Sequence, residues 1–241
     1  MYTFAPIAAA IGVAYTVVTA LTAVLAPIAG AASAAIAVVC LTAIVRTALI
    51  PLSYAQVRGE KARARLAPKL RELQRKYRGR PERLAAEQQR LFAEENTSPL
   101  AGCLPMLAQT PVFIALYGLF VSTTIEGAPN TLLMHSLGGV TLGSTLGDVL
   151  AAGFGPEVLV FVVLLVFIAG VAWASRQWLT LPALTAAADD RTSAVPGAMS
   201  YLSFLTVAIA AAVPLAAGLY LATSTAWTVA ERLALRHFIA G

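Results

Sequence analysis

A single arginine, Arg46, lies near the middle of an apolar stretch that runs from about residue 34 to residue 54. The stretch is long enough to span a membrane, because a helix of about 20 residues crosses the hydrocarbon core of a bilayer. A charge at that depth costs roughly 2.5–3.5 kcal/mol on insertion scales. A buried ion pair is a poor solution, since the nearest acidic residue in another apolar segment is Glu231, at the far end of the last one. We therefore expect water to hydrate Arg46 through a polar cavity in the membrane domain.

The composition is that of a membrane protein. Of the 241 residues, 59% are hydrophobic and 12% are charged, more apolar surface than one soluble core can bury. Cys40 and Cys103 both lie in apolar segments, and His135 and His237 are far apart without a surrounding motif. This pattern predicts neither a disulfide scaffold nor a metal site, and it suggests no cofactor. We predict an all-α integral membrane protein.

The distribution of charge predicts the topology. Twelve of the 17 Lys and Arg residues fall between Arg58 and Arg90, and six Glu residues lie between Glu60 and Glu95, so this excursion carries a net charge of +6. The positive-inside rule places it in the cytoplasm and gives five transmembrane helices, with the N-terminus outside and the C-terminus inside. The predicted spans are 34–55, 98–121, 157–179 and, for the fourth and fifth helices divided at Pro214, 196–231. The other segments are a cytoplasmic hairpin at 56–97, an extracytoplasmic loop at 122–156, a cytoplasmic loop at 180–195 and a cytoplasmic tail at 232–241.

Residues 1–33 allow three interpretations. The segment is apolar enough to be a sixth span, and the small residues 30–34 resemble a signal-peptidase site, although no Lys or Arg supplies the expected n-region. The third option is a helix in the outer membrane interface that ends near Gly30. In that option the polar side chains of the helix face water: Tyr2, Thr3, Tyr15, Thr16, Thr19 and Thr22.

The basic excursion has the pattern of a helical hairpin. Apolar residues recur at spacings of four, three and four, at Leu66, Leu70, Leu73 and Tyr77. Gly79-Arg80-Pro81 then breaks the helix before a second one that carries Leu84, Leu91 and Phe92. The hairpin is either solvated positive charge that sets topology or a docking surface for anionic lipid, ribosomal RNA or an acidic targeting factor. The docking residues would be Arg63, Arg65, Arg71 and Arg75.

The segment 98–117 carries the most specific motif, SPLAGCLPMLAQTPVFIALY. It resembles the signature N-P-L-x-G-C-L-P-x-L-x-Q-x-P-x-F-x-A-L-Y of the YidC family of membrane protein insertases. Three further matches follow the family order: TAIVR at 42–46 with the Pro-Leu pair at 51–52, Leu-Ala-Pro at 66–68, and PLAAGLY at 214–220. Together they cover residues 34–232.

This resemblance implies a short form of the insertase, with five core spans and an interfacial N-terminal helix, in a bacterial cell membrane. It implies insertion and folding of client membrane proteins without covalent chemistry. The implied partners are those clients and the lipid bilayer, with the ribosome, the signal recognition particle pathway and the Sec translocon as further partners, and no specific nucleic-acid readout. The sequence departs from the family pattern at Ser98, at Leu221 and at Glu231, where the family usually has Gln. It also lacks a large extracytoplasmic domain, a lipobox cysteine and a long basic tail.

Polar residues form stripes on three predicted spans. Those of the first span recur at spacings of four, seven and three, at Thr42, Arg46, Ser53 and Gln56. The last span has a similar stripe, at Tyr220, Ser224, Trp227, Thr228 and Glu231. The predicted residues of one shared wet groove are Thr42, Arg46, Gln109, Tyr117, Tyr220, Ser224 and Thr228. The resemblance implies a groove open to cytoplasm and lipid, whose arginine attracts the hydrophilic, often acidic, segment of a client.

Each site residue also has a simpler interpretation. Arg46 lies roughly 12 Å from the cytoplasmic border and could snorkel there. Gln109 could bond a neighbouring helix, and Tyr220 could be an ordinary packing aromatic. A small polytopic transporter would be expected to show inverted repeats or intramembrane carboxylates, and an intramembrane protease would need a nucleophile and a His at membrane depth; neither pattern is present. A structural membrane assembly factor stays open as an alternative to the insertase.

Overall fold

The computed structural model describes residues 5–95, 104–182 and 201–240, and these residues are mainly helical. The helices are α1 (Ala5–Ala29), α2 (Ser33–Ala48), α3 (Ile50–Lys76), α4 (Pro81–Glu94), α5 (Leu104–Val121), α6 (Leu146–Ala152), α7 (Val158–Ser175), α8 (Leu205–Ala212) and α9 (Leu215–Ala240). A π-helical segment, Arg176–Thr180, continues α7, and short 3₁₀ turns cover Gly30–Ala32, Thr131–Met134 and Leu202–Phe204. The predicted start of the second span at 98–103, most of the loop 180–195 and the start of the fourth span lie outside the described residues.

The N-terminal helix α1 folds back beside α2 and also packs against α5. The turn between α1 and α2 contains Gly30 at φ +52°, a left-handed conformation that glycine adopts without strain. Ile11, Val18 and Thr22 form the buried face of α1. The expectation that Thr22 faces water is therefore wrong, because spacings of seven and four place it on the same side as the two apolar residues. Its hydroxyl donates to the carbonyl of Val18 at 2.8 Å, which satisfies it inside the helix.

A single residue, Leu49, separates α2 from α3. Pro51 lies in the first turn of α3, where its missing N–H group costs no hydrogen bond. The helix then continues without interruption to Lys76, so the predicted border between span and hairpin at 55/56 falls inside α3 rather than at a helix end.

Helices α3 and α4 face each other across the turn that contains Gly79, at φ +86°. Lys69 of α3 forms an ion pair with Glu95, the residue after α4, and Leu73 and Leu91 both line the groove between the helices. Leu66 is only 3% exposed. The most basic part of the chain is thus an ordered helix pair with an apolar seam.

The predicted extracytoplasmic loop 122–156 has an internal structure of its own. It contains two small antiparallel hairpins, β1 (Thr124–Ile125) with β2 (Ala128–Pro129), and β3 (Ser136–Leu137) with β4 (Val140–Thr141). The prediction of an all-α chain missed these strands, because strands of two residues are too short to show an alternating pattern. Helix α6 begins with a capping box in which Thr145 and Asp148 bond each other's backbone amides. These hydrogen bonds hold the pKa of the Asp148 carboxyl below its usual value.

Asn130 fixes this loop to the end of α5. Its side chain is 2% exposed, and its amide nitrogen donates to the carbonyls of Leu119 and Ser122, both at 2.9 Å. Its amide oxygen accepts a hydrogen bond from the backbone N–H of Leu132 at 3.2 Å. One side chain thereby satisfies three backbone groups near the point where the helix gives way to irregular chain.

Replacing Asn130 with alanine is expected to lower the free energy of unfolding by about 2–4 kcal/mol, because buried backbone groups lose their partners. Thermal unfolding in detergent measures this. Asn130→Asp is the matched control: it has nearly the same shape and keeps an acceptor for Leu132, but it removes the two N–H donations. It should therefore also destabilise the protein, whereas unchanged melting of both variants would mean that the loop is held by other contacts.

Helix α9 is central to the described bundle, with contacts to α2, α5, α7 and α8. Pro214 lies between the end of α8 and the start of α9. The first free amides of α9, those of Leu215 and Ala216, donate to the carbonyls of Ser144 and Leu142, both at 2.9 Å. The loop therefore caps the helix start through its backbone.

Small residues let α9 approach its neighbours closely. A Cβ atom on Gly218 would lie 2.8 Å from a methyl group of Leu164 on α7, and Ala216, Ala217 and Ala222 are buried in the same helix. Such residues bring helix backbones together where burial from water contributes little, as in a bilayer.

Two helical stretches in the described residues are long and apolar enough to cross a membrane, judged by length and composition: Ala5–Ala48, which the turn at Gly30 divides into α1 and α2, and Val158–Thr180. Gln109–Val121 and Leu202–Ala212 are shorter apolar helices. Helix α9 continues to Ala240, so the predicted tail 232–241 is largely helical.

Candidate functional site

A cavity of about 250 Å³ lies between α2, α5 and α9. Four of the predicted groove residues line it: Thr42, Arg46, Gln109 and Tyr220. The remaining lining residues are Val45, Leu49, Thr110, Val112, Phe113 and Leu116. The cavity thus combines apolar walls with a few polar groups, as ligand sites generally do. Three sequence-distant helices meet here, which is why residues of three separate motifs face one space.

Arg46 is the charged group of this cavity. Its guanidinium donates from Nη2 to the hydroxyl oxygen of Ser224 on α9. No carboxylate in the described part of the chain forms an ion pair with it at the 4.0 Å criterion. Glu231 is close enough to interact with it electrostatically. The expectation that water would be the partner of Arg46 was therefore incomplete, since a protein hydroxyl supplies one hydrogen bond.

Aromatic rings form one wall of the cavity. Tyr220 is 2% exposed, with ring centroids 5.9 Å from Phe113 and 5.7 Å from Phe120. Tyr117 does not line the cavity, but it stacks on Phe113 at 5.8 Å with an interplanar angle of 8°. Phe113 was not among the predicted groove residues, although its spacing of four from Tyr117 places both rings on one face of α5.

The predicted serine and threonine residues of the groove lie at two different cavities. Thr42 is fully buried in the cavity wall, and its hydroxyl donates to the carbonyl of Val38 at 2.7 Å, so it is not free for a ligand's acceptor. Ser224 reaches the cavity through its bond to Arg46. Thr228 instead lines a separate cavity of about 170 Å³ with residues of α7, including Ser175. The structure therefore separates Thr228 from the groove residues, although a step of four places it on the same face as Ser224, because α7 packs against this part of α9.

Three polar contacts connect α2 and α3 to α9 in parallel register. Arg46 bonds Ser224, and seven residues later on both helices Ser53 interacts with the carboxyl group of Glu231. At the far end Glu60 of α3 forms an ion pair with Arg232 at 3.1 Å. The first two contacts are seven residues apart on both sides, so α9 runs in the same direction as α2 and α3, whereas the third contact is seven residues after Ser53 but only one after Glu231. We call these contacts the polar ladder: Arg46 with Ser224, Ser53 with Glu231, and Glu60 with Arg232.

The predicted docking arginines lie on α3, outside the cavity. Arg65 and Arg75 are exposed, whereas Arg71 is half-buried and engaged by another group. The backbone of Arg63 lies in the same helix, and its side chain is outside the described part of the structure. Helix α3 begins directly after Leu49 of the cavity wall, carries Ser53 and Glu60 of the polar ladder, and continues into this basic surface.

The fold and site define a class of helical membrane protein in which an arginine lies in a largely apolar cavity between helices. A sequence profile for the family described as 60Kd inner membrane protein matches residues 24–240. The chain belongs to this family, and the resemblance noted in segment 98–117 is thereby confirmed.

Curated relatives carry names consistent with this family. The membrane protein insertase YidC of Helicobacter pylori is 41% identical over 98 residues, covering 40% of this chain and 18% of that protein. The membrane protein insertase YidC of Clostridium perfringens is 39% identical over 84 residues, 35% of each chain. The chloroplastic inner membrane protein PPF-1 of Pisum sativum is 42% identical over 103 residues, 42% of this chain and 23% of the relative. The matched region spans about a fifth to a third of the length of these relatives.

Proposed function

We propose that this protein is a membrane protein insertase that receives the polar segment of a client in the cavity around Arg46. The observation that carries this proposal is a guanidinium group held by Ser224 in the wall of a cavity between three helices. Membership of the 60Kd inner membrane protein family and two relatives named as insertases support it.

The chemistry of the cavity suits transient binding of a polar segment. A guanidinium has five N–H donors in a planar fork, and Ser224 accepts from only one of its nitrogens. The remaining donors can bond a client carboxylate or backbone carbonyl, and charge-assisted hydrogen bonds of this kind are strong. Holding a polar segment at intermediate depth lowers the cost of moving it through hydrocarbon, while the adjoining apolar helix leaves into lipid. Insertion requires no covalent step.

The proposed arrangement in the membrane has five spans, with the N-terminus outside and the C-terminus in the cytoplasm. Helix α9 runs in the same direction as α2 and α3, which supports this arrangement because all three helices would then run toward the cytoplasm. The net charge of +6 between Arg58 and Glu95 favours a cytoplasmic hairpin. In this arrangement α1 lies in the outer interface and loop 122–156 covers the outer end of the bundle. Clients arrive from the ribosome, the signal recognition particle pathway or the Sec translocon, and the hairpin contacts the carrier.

Reconstitution tests the proposal directly. Purified protein in liposomes is expected to insert a short single-span client, so that the translocated tail becomes protected from added protease. Protection should increase at least about ten-fold over protein-free liposomes, because each roughly 1.4 kcal/mol taken from a transfer barrier gives a factor of ten.

Liposomes containing heat-denatured protein provide the matched control for a passive effect of added protein on the bilayer. Equal client protection with native protein, denatured protein and no protein would contradict the insertase. A structural assembly factor would then be the better assignment.

A further inference from the structure

Glu231 is a second ionisable side chain close to the cavity. It lies seven residues after Ser224, about two helical turns, so both side chains are on the same side of α9. Its carboxyl group interacts with the hydroxyl of Ser53 and electrostatically with Arg46 and Arg232. One of its oxygens, Oε1, is buried without a hydrogen-bond partner among the described residues. The Glu231 side chain therefore lies on the side of α9 that faces α2 and α3.

The charges along the ladder balance in pairs. Arg232 has its own carboxylate, Glu60, at 3.1 Å, and Glu60 also accepts a bond from Gln56 at 3.4 Å. Among the described charged residues of the ladder, this leaves Arg46 and Glu231 as two opposite charges without an ion-pair partner. Because neither Arg46 nor Arg232 lies within 4.0 Å of the Glu231 carboxylate, Glu231 acts on Arg46 through its electric field rather than through an ion pair.

The size of that effect follows from the spacing. Two turns of helix separate the backbones of Ser224 and Glu231 on α9 by about 10 Å, and this rise sets the scale of the separation between Arg46 and Glu231. For unit charges at this distance, effective dielectric constants between about 80 and 20 correspond to a factor of about two to fifteen in an equilibrium or rate constant. A carboxylate at this position therefore weakens, without abolishing, the attraction of the cavity for another anion.

We propose that Glu231 is a specificity-determining residue that offsets the positive charge of Arg46 and so sets how strongly the cavity discriminates between acidic and basic client segments. The inference rests on the proposed insertase function. Arg46 and Glu231 are expected to have opposite effects on one quantity, the ratio of the insertion rate for a client with an acidic tail to that for a client with a basic tail. A purely structural role for Glu231 would change both rates alike and leave the ratio constant.

The test uses liposomes of zwitterionic lipid and two single-span clients with the same apolar helix and either an acidic or a basic translocated tail. Glu231→Gln is expected to raise the acidic-to-basic rate ratio about two- to fifteen-fold. Arg46→Ala should lower the ratio, and the double variant Arg46→Ala with Glu231→Gln should bring it close to one. Glu231→Asp keeps the charge and should behave like wild type. Glu157→Gln removes a carboxylate at the start of α7, far along the chain from the ladder, and should leave the ratio unchanged.

A client with an uncharged tail reports the folding of the Glu231 variants separately, since a change of charge at Glu231 should leave its rate nearly constant unless the variant is damaged. If Arg46→Ala lowers the ratio but Glu231→Gln leaves it at the wild-type value, the inference about Glu231 is wrong and the insertase proposal stands. A change in the acidic-to-basic rate ratio as large in Glu231→Asp as in Glu231→Gln would also overturn the inference, because the ratio would then depend on side-chain shape rather than charge. If neither Arg46 variant changes any rate, the cavity is not the client site and the proposed function itself fails.

Discussion

Replacing Arg46 with alanine is expected to slow insertion of a client with an acidic translocated tail by about ten- to hundred-fold. The reason is that the cavity loses its cation at a depth where a client carboxylate has little water to replace it. Arg46→Lys should retain substantial insertion, because lysine keeps the charge but loses the planar fork that bonds a carboxylate at two points. Arg46→Glu should be slower than the alanine variant, since it repels the same tail. Protease protection of the tail in liposomes measures all three rates.

A matched client with an uncharged tail serves as the control for this series. Its insertion should change much less than that of the acidic client, because only hydrogen bonds to the guanidinium are lost. Equal rates for the alanine variant and wild type with the acidic client would leave Arg46 as a residue that merely snorkels to the cytoplasmic surface.

Neutralising the four hairpin arginines 63, 65, 71 and 75 by substitution with glutamine is expected to raise the client concentration needed for half-maximal insertion by at least about ten-fold at low salt. Each basic residue near an anionic surface contributes about 1 kcal/mol of attraction, which is screened beyond about 8–10 Å in physiological salt. The maximal rate should change little, because the cavity around Arg46 is untouched. Titration of client at low and high salt separates capture from transfer.

Leu66→Asp provides the contrasting variant for the hairpin. Leu66 is buried, so a carboxylate there should disrupt the packing of α3 and impair insertion at every salt concentration. If the neutralised protein instead captured clients at wild-type concentrations in low salt, the hairpin charge would serve topology alone.

The sequence by itself determined the features that depend on local pattern. The apolar stretch around Arg46 is visible in the sequence, and the motif at 98–117 predicted the family that the profile match confirms. The turn at Gly79-Arg80-Pro81 and the helix break at Pro214 could be predicted from the sequence. Glycine and proline change the allowed backbone conformation at their own positions, so their effect is local.

The tertiary structure decided which faces meet. Helical periodicity places Ser224 and Thr228 on the same face, but only the packing of α9 shows that Ser224 contacts Arg46 while Thr228 lies against α7. Asn130 could not be recognised from its neighbours in sequence, because its partners lie at the end of α5 and its role is to satisfy their carbonyls. The physical reason is that a side chain's position on its own helix is a local property, whereas its partner depends on how separate helices and loops are brought together.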